Sequence, residues 1–216
     1  MKLHSYSRSG CRGLSLLEVM LVVATIALLA AVVLPRLART HGRSSRIGCT
    51  SNLKQIGLAC RLWANDNNDE FPWALTNAAG SRAYVNSPQV FQHFAIMSNE
   101  LVSPKILTCP DDKKRKKTPD FAKLSNLNLS YFVALDADES KPSRLLTGDR
   151  NITGGTLSNG FLRLLPTNAL AGWTTELHNK AGNIGFSDGS VQQVTPMGLR
   201  KFLQAQDRPL IRLAIP

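Results

Sequence analysis

From Leu14 to Leu34 the chain reads LSLLEVMLVVATIALLAAVVL, 21 residues broken only by Ser15, Glu18 and Thr25. As an α-helix this run is about 31 Å long, which matches the hydrocarbon core of a bilayer. Before it stands MKLHSYSRSGCRG, with Lys2, Arg8 and Arg12 and no acid, the flank of a segment whose N-terminus stays cytoplasmic. A cleaved secretory signal would have an apolar core of about 7 to 15 residues ending in a small-residue site. Here the run is longer and Pro35-Arg36-Leu37-Ala38-Arg39 follows it. Glu18 is what a spanning helix must explain. A carboxylate inside a span costs about 2.5 to 3.5 kcal/mol on insertion scales and needs a partner, and the run from Leu14 to Leu34 contains no Lys or Arg. An ordinary signal anchor with an accidental Glu is the plain alternative.

Gly13 directly before the run, a hydrophobic Leu14, and Glu18 at its fifth place form G-L-S-L-L-E-V, which closely resembles the type IV pilin signature. On these residues the chain is identified as prepilin-like. The resemblance implies that a prepilin peptidase cuts between Gly13 and Leu14 and methylates the new amino group of Leu14. Residues 1–13 would be a discarded leader and 14–35 the transmembrane half of a long helix. In such a family Glu18 pairs with the N-terminal amine of a neighbouring subunit, which answers the burial problem. Leu14 stands where the family more often carries Phe. Pro35 lies where many pilins have a helix-kinking proline; it removes the hydrogen bond to the carbonyl of Ala31, so it serves filament packing or simply ends the helix.

Beyond Pro35, residues 36–65 carry Arg36, Arg39, Arg43, Arg46, Lys54 and Arg61 and no acid, which works against the positive-inside rule. Within this stretch Cys49, Leu53, Ile56, Cys60 and Trp63 recur at steps of four and three, an apolar stripe expected to lie against a folded domain. Gly42 and Gly48 weaken the helix locally, but the pattern predicts a nearly continuous helix from Leu14 to about Asn65, on the order of 75 Å long. Asn65-Asp66-Asn67-Asn68-Asp69-Glu70 ends it, and Phe71-Pro72 is expected to restart the chain in extended form. Alternating oxygen side chains there suggest calcium, but an EF-hand requires Gly where Phe71 stands. No cofactor is expected, with calcium as the alternative.

Residues 66–216 read as a globular head. Ser87-Pro88 offers a cap for a short helix bearing Val90, Phe94, Met97 and Leu101. Strands are expected at 129–135, 144–147 and 161–165, with Gly148-Asp149-Arg150-Asn151 as a turn and a Gly-rich loop through Gly160. Lys113-Lys114-Arg115-Lys116-Lys117, among Asp111, Asp112 and Asp120, reads as a solvated loop rather than a phosphate grip. Ile184 and Phe186 alternate, Asp188-Gly189 signals a two-residue hairpin turn, and Ser190 to Val194 returns. Thr195-Pro196 caps a final amphipathic helix with Leu199, Phe202 and Leu203. Nine residues separate His178 from Asp188-Gly189, an H-x9-D-G pattern. With S-N-L-K-Q-I-G-L from Ser51 and Cys109-Pro110, it resembles a pseudopilin-like family across most of the chain. Asp188-Gly189 is read as turn chemistry and His178 as a packing or hydrogen-bonding residue, against a metal or acid/base site.

The cleavage that the resemblance implies would remove Cys11. Cys49 and Cys60 share a helix face but lie about 16 Å apart along it, too far to bond. A disulfide would therefore join Cys109 to Cys49 or Cys60, unless the thiols stay free and buried. The net charge of +11 also has an address: three charges lie in residues 1–13 and would leave with the leader, six lie in residues 36–65, and residues 66–216 hold 17 basic against 14 acidic side chains. Charge on that spine serves topology, lipid headgroups and subunit packing better than nucleic acid.

The expected fold class is α+β, a long N-terminal helix packed on an antiparallel sheet head, pilin-like. The expected function is a non-enzymatic pseudopilin-like subunit, assembled into a periplasmic filament of a type II secretion-like system. Its partners would be the prepilin peptidase, other subunits, the inner-membrane assembly platform and lipid. It would cross the inner membrane once, with the N-terminus cytoplasmic and the head periplasmic. A type IV pilus or competence pilin contacting DNA, and a membrane-anchored periplasmic binding module or enzyme built on His178 and Asp188, are the alternatives.

Overall fold

The structure, a computed structural model, describes residues 15–76 and 79–216, and for residues 35–43 it describes no side chains. Two compact units divide the chain, Met1–His41 and Gly42–Pro216. Helix α1 runs Leu16–Asn65. Its segment Leu16–Leu34 is long and apolar enough to cross a membrane, and none of it is buried. No Gly or Pro interrupts that segment, and Leu, Ala and Met hold the helix at little entropic cost. Gly13 and Leu14 lie outside the described residues, as does the side chain of Pro35.

In the second unit the elements follow as α2 (Gln92–Ala95), α3 (Ser98–Leu101), β1 (Tyr131–Ala134), β2 (Leu145–Asp149), β3 (Ile152–Thr153), β4 (Thr156–Ser158), β5 (Leu162–Pro166), β6 (Gly172–Trp173), β7 (Gly182–Phe186), β8 (Val191–Val194), α4 (Pro196–Gln204) and β9 (Leu210–Ala214). Seven strands form one antiparallel sheet in the order β4-β5-β9-β1-β2-β7-β8, and β3 pairs with β6. The architecture is α+β.

Both faces of the sheet are covered. On one face Cys49, Leu53, Ile56, Cys60 and Trp63 of α1 share a buried cluster with Tyr131, Val133 and Leu146. On the other, Leu199 and Leu203 of α4 share a cluster with Phe132, Ala134, Ile184 and Leu213, and Phe202 stands edge-on to Phe186 at 4.9 Å. Double coverage explains why β1 is apolar at every position instead of alternating. The stripe of α1 predicted to face a domain is buried along its whole length.

Several local expectations need correction. The single helix expected after Ser87-Pro88 is two one-turn helices, α2 and α3, separated by Ile96 and Met97. Gly148 and Asp149 belong to β2 rather than to a turn. A Cβ at Gly148 would come within 2.7 Å of the Phe132 ring, so this glycine serves packing inside a strand. Phe71-Pro72 does not run on extended: the amide of Ala74 donates to the Phe71 carbonyl, closing a turn that stacks Phe71 on Trp73. The hairpin between β7 and β8 has a three-residue loop, with the Gly189 amide on the Phe186 carbonyl and Gly189 at φ +82°. A type I turn closed by a left-handed glycine has replaced the two-residue turn. Nor is α4 the last element, since β9 follows it and lies between β5 and β1. Asp136 anchors β9 by accepting from the Arg212 amide and guanidinium.

Within α2, His93 is completely buried, its Nδ1 hydrogen-bonded to Ser81 Oγ at 2.7 Å and its ring edge-on to Trp73. Burial lowers its pKa from 6.5 to about 4. Below pH 6.5 the unfolded chain takes a proton that the folded chain refuses until about pH 4. The stability that His93 contributes should therefore fall as pH drops through this window, by about 3 kcal/mol in all at about 1.4 kcal/mol per unit. Because the buried Asp149 carboxyl, pushed up to about 7, takes up a proton in the opposite sense over the same range, the contribution is read as the difference in urea unfolding free energy between this chain and His93→Gln, which should shift by about 3 kcal/mol between pH 7 and 4.

Candidate functional site

The loop between β6 and β7 carries His178 in an unusual backbone conformation. His178, Asn179 and Lys180 follow one another at φ of 51°, 51° and 62°. Left-handed backbone costs an L-residue about 1–2 kcal/mol, so three in a row persist only if the surroundings impose them. The imposing contacts are visible. Asn151 Nδ2 donates to the carbonyls of Thr174 and Leu177, and the Arg46 guanidinium of α1 donates to the His178 carbonyl at 2.9 Å. Asp111 Oδ2 lies 3.0 Å from His178 Nδ1. His178 Nε2 lies 3.6 Å from Cys109 Sγ and 3.5 Å from Asp149 Oδ2.

Cys109 is bonded to Cys49, with Cα atoms 5.2 Å apart. Of the two pairings open to Cys109, the disulfide uses Cys49, while Cys60 is a free, buried thiol pushed up to about 12 by its burial. The bond fastens α1 to the segment following a short 3-10 helix, Pro104–Leu107. One turn further along α1, Asn52 Nδ2 donates to the Thr108 carbonyl at 3.2 Å and to Tyr131 Oη at 3.3 Å. Cysteine, asparagine and the sheet tyrosine thus meet at one seam.

Asp149, at the end of β2, is completely buried. Its Oδ2 accepts from the Asn183 amide at 2.7 Å and from Asn183 Nδ2 at 2.9 Å, whereas Oδ1 has no hydrogen-bond partner. Burial pushes the carboxyl up to about 7 against those hydrogen bonds, and Asp112 and Asp111 add repulsion. Burial also lowers the His178 imidazole, outweighing the Asp111 carboxylate beside it. Both groups are therefore held towards their neutral forms.

A second network lies against this one. Arg150 makes a bidentate pair with the buried Asp112, at 2.7 and 2.9 Å, and reaches Glu176 at 2.9 Å. Burial raises the Asp112 carboxyl, but hydrogen bonds from Arg150 and Ser130 prevail and hold it below the ordinary carboxylate range. The basic run at 113–117 is not uniformly solvated. Lys114 pairs with Glu176, and Arg115, half-buried, donates to the Pro216 carbonyl at 2.7 Å.

The chain matches no family model, no curated protein and no solved structure. Its functional reading rests on where the structure puts the residues singled out from the sequence. Glu18 is exposed on α1. Asp188 is a turn residue: its Oδ1 accepts from the Ser190 amide, and its carbonyl accepts from Arg61. Gly189 packs against Gly57 of α1, where a Cβ would lie 3.1 Å from its Cα. His178 contacts Arg46 and Asp188 contacts Arg61, positions about 22 Å apart along a helix. The two ends of the H-x9-D-G pattern therefore hold different parts of α1 and do not form an acid–base pair.

Asp66, Asp69 and Glu70 follow the helix as a polar cap in which Asn67 Nδ2 donates to the Trp63 carbonyl. Among the described residues, the potential metal ligands that converge as a group of three are instead Cys49, Cys109 and His178. Nothing in the sequence marks Asp149, Asp111, Arg46 or Asn183 as residues of this site. Asp149 was hidden in an apparent turn, and Asp111 could have been suspected only from its place beside Cys109-Pro110.

Two outcomes test the clasp. The disulfide closes a loop of 60 residues. Replacing both Cys49 and Cys109 by Ala should lower stability by about 4 kcal/mol on the chain-entropy account, read by tryptophan fluorescence in denaturant. Lys180→Gly should raise it by about 1 kcal/mol in the same assay, because glycine adopts the left-handed conformation without penalty.

Proposed function

We propose that this chain is a pseudopilin-like subunit, cut by a prepilin peptidase between Gly13 and Leu14, methylated on Leu14 and assembled into a periplasmic filament of a type II secretion-like machine. The observation that carries the reading is Glu18, the one acid in a 21-residue apolar run that begins directly after Gly13. In a filament its carboxylate meets the Leu14 amine of a neighbouring subunit, and a charge otherwise costly in lipid becomes a register mark. Pro35 would let the helix adjust as subunits pack.

The rest of the chain is consistent with that work. A helix whose first part, Leu16–Leu34, is apolar but for Glu18 and Thr25 carries a stripe further on that packs on an antiparallel sheet. The Cys49–Cys109 bond suits an oxidising compartment, in keeping with a periplasmic head and a cytoplasmic N-terminus. The His178 side chain is spent on internal partners, which favours a role in holding the head to its helix.

Co-expression with a prepilin peptidase, followed by mass analysis of the intact chain, tests the processing step. The expected product lacks residues 1–13 and carries one added methyl group. A retained Met1, or a cut C-terminal to the apolar run, would overturn the proposal. Glu18→Ala should abolish cross-linkable assembly in membranes, while the thermal melt of the folded unit stays unchanged.

A further inference from the structure

Around the disulfide the ligand atoms of Cys49, Cys109 and His178 lie within 4.8 Å of one another, and Asp149 Oδ2 lies 3.5 Å from His178 Nε2. We infer that when the Cys49–Cys109 bond is reduced, these four side chains bind a zinc ion, so that the link between α1 and the sheet persists as a metal bridge.

The distances suit the ion. Tetrahedral zinc, with bonds of about 2.3 Å to sulfur and about 2.0–2.1 Å to nitrogen and oxygen, sets sulfur–nitrogen edges of about 3.6 Å and nitrogen–oxygen edges of about 3.4 Å. Cys109 Sγ stands 3.6 Å from His178 Nε2, and His178 Nε2 stands 3.5 Å from Asp149 Oδ2. The sulfur–sulfur edge must open to about 3.8 Å once the bond is broken, and the Asp149 carboxylate, which is not among the three ligand groups that lie within 4.8 Å of one another, must close on the sulfurs. The Cα atoms, 5.2 Å apart, allow that by side-chain rotation.

The surroundings also suit a ligand set. Asp111 engages His178 Nδ1 and leaves Nε2 directed at the sulfurs and at Asp149, the carboxylate–histidine arrangement that orients metal-bound imidazoles. Asp149 is fully buried with Oδ1 unpartnered, a cost that a cation at the carboxylate would offset. Two thiolates, one carboxylate and a neutral imidazole leave a zinc complex with a single negative charge, and the Arg46 guanidinium lies beside it on the His178 carbonyl.

The exchange balances. A dithiol reductant gives two electrons to the disulfide and becomes a cyclic disulfide, and its two protons appear on Cys49 and Cys109. Zinc then displaces both thiol protons, together with any proton held by Asp149, to solvent. Reoxidation by a disulfide oxidant reverses the electron transfer and expels the ion.

The test uses the full chain in detergent with Cys11→Ser and Cys60→Ser. After treatment with dithiothreitol under argon and removal of the reductant, zinc is titrated against a chromophoric chelator. One zinc per reduced chain is expected, and none for the oxidised chain. His178→Ala and Asp149→Asn should each weaken binding at least 10-fold. X-ray absorption on the zinc-loaded chain, which needs no variant at the site, should show two sulfur and two nitrogen or oxygen ligands. Absence of uptake on reduction, equal uptake by the oxidised chain, affinity unchanged in both variants, or a first shell without two sulfurs would overturn the assignment. N-terminal processing is read separately, so zinc binding and the filament proposal can fail independently.

Discussion

The folded unit depends on covering one face of α1. Cys49, Leu53, Ile56, Cys60 and Trp63 make an apolar stripe that water would penalise by about 1.5–3 kcal/mol for each large side chain left exposed. Only a broad surface can cover it, and the seven-stranded sheet provides one. Its far side then needs a cover as well, which α4 supplies. Hydrophobic burial sets that order of layers but does not fix register, because an apolar face can slide. Register comes from specific contacts along the helix: Cys49 to Cys109, Arg46 to the His178 carbonyl, Asn52 to Thr108 and Tyr131, and Gly57 against Gly189.

Those contacts account for the strained turn at 178–180. His178 must face inward to meet Asp111 and lie over the disulfide while its carbonyl turns to Arg46, and a left-handed turn satisfies both demands. Strain at this place is maintained by the hydrogen bonds of Asn151, Arg46 and Asp111 together. Asp149 is the other costly element. Its carboxyl is buried next to the imidazole, and both are pushed towards neutrality. Arg150 and Asp112, by contrast, remain a charged pair, because bidentate hydrogen bonding outweighs their desolvation.

Much of the scaffold was legible in the residues. The 3.6-residue period of the 49–63 stripe identified both the helix and its buried face, and the Thr195-Pro196 cap identified α4, where Thr195 Oγ1 accepts from the Gly198 amide. Less was legible where packing overruled local chemistry. Gly148-Asp149 looks like a turn but is strand, because a ring from β1 needs the space a Cβ would take. β9 was missed because its five residues carry only a short alternation, and its place in mid-sheet depends on β1 and β5, far away in sequence.

By itself the sequence determined the apolar run and its lone Glu18, the long helix with one face to bury, and the exclusion of a bond between Cys49 and Cys60. These are properties of composition and short-range period, which do not depend on what folds against them. Only the tertiary structure decided that Cys49 is the partner, that His178 lies on that bond between Asp111 and Asp149, and that Asp188-Gly189 grips α1 elsewhere. The reason is physical: all of those contacts except that of His178 with Asp149 join residues 60 or more positions apart, and their energies exist only after the sheet has brought the segments together.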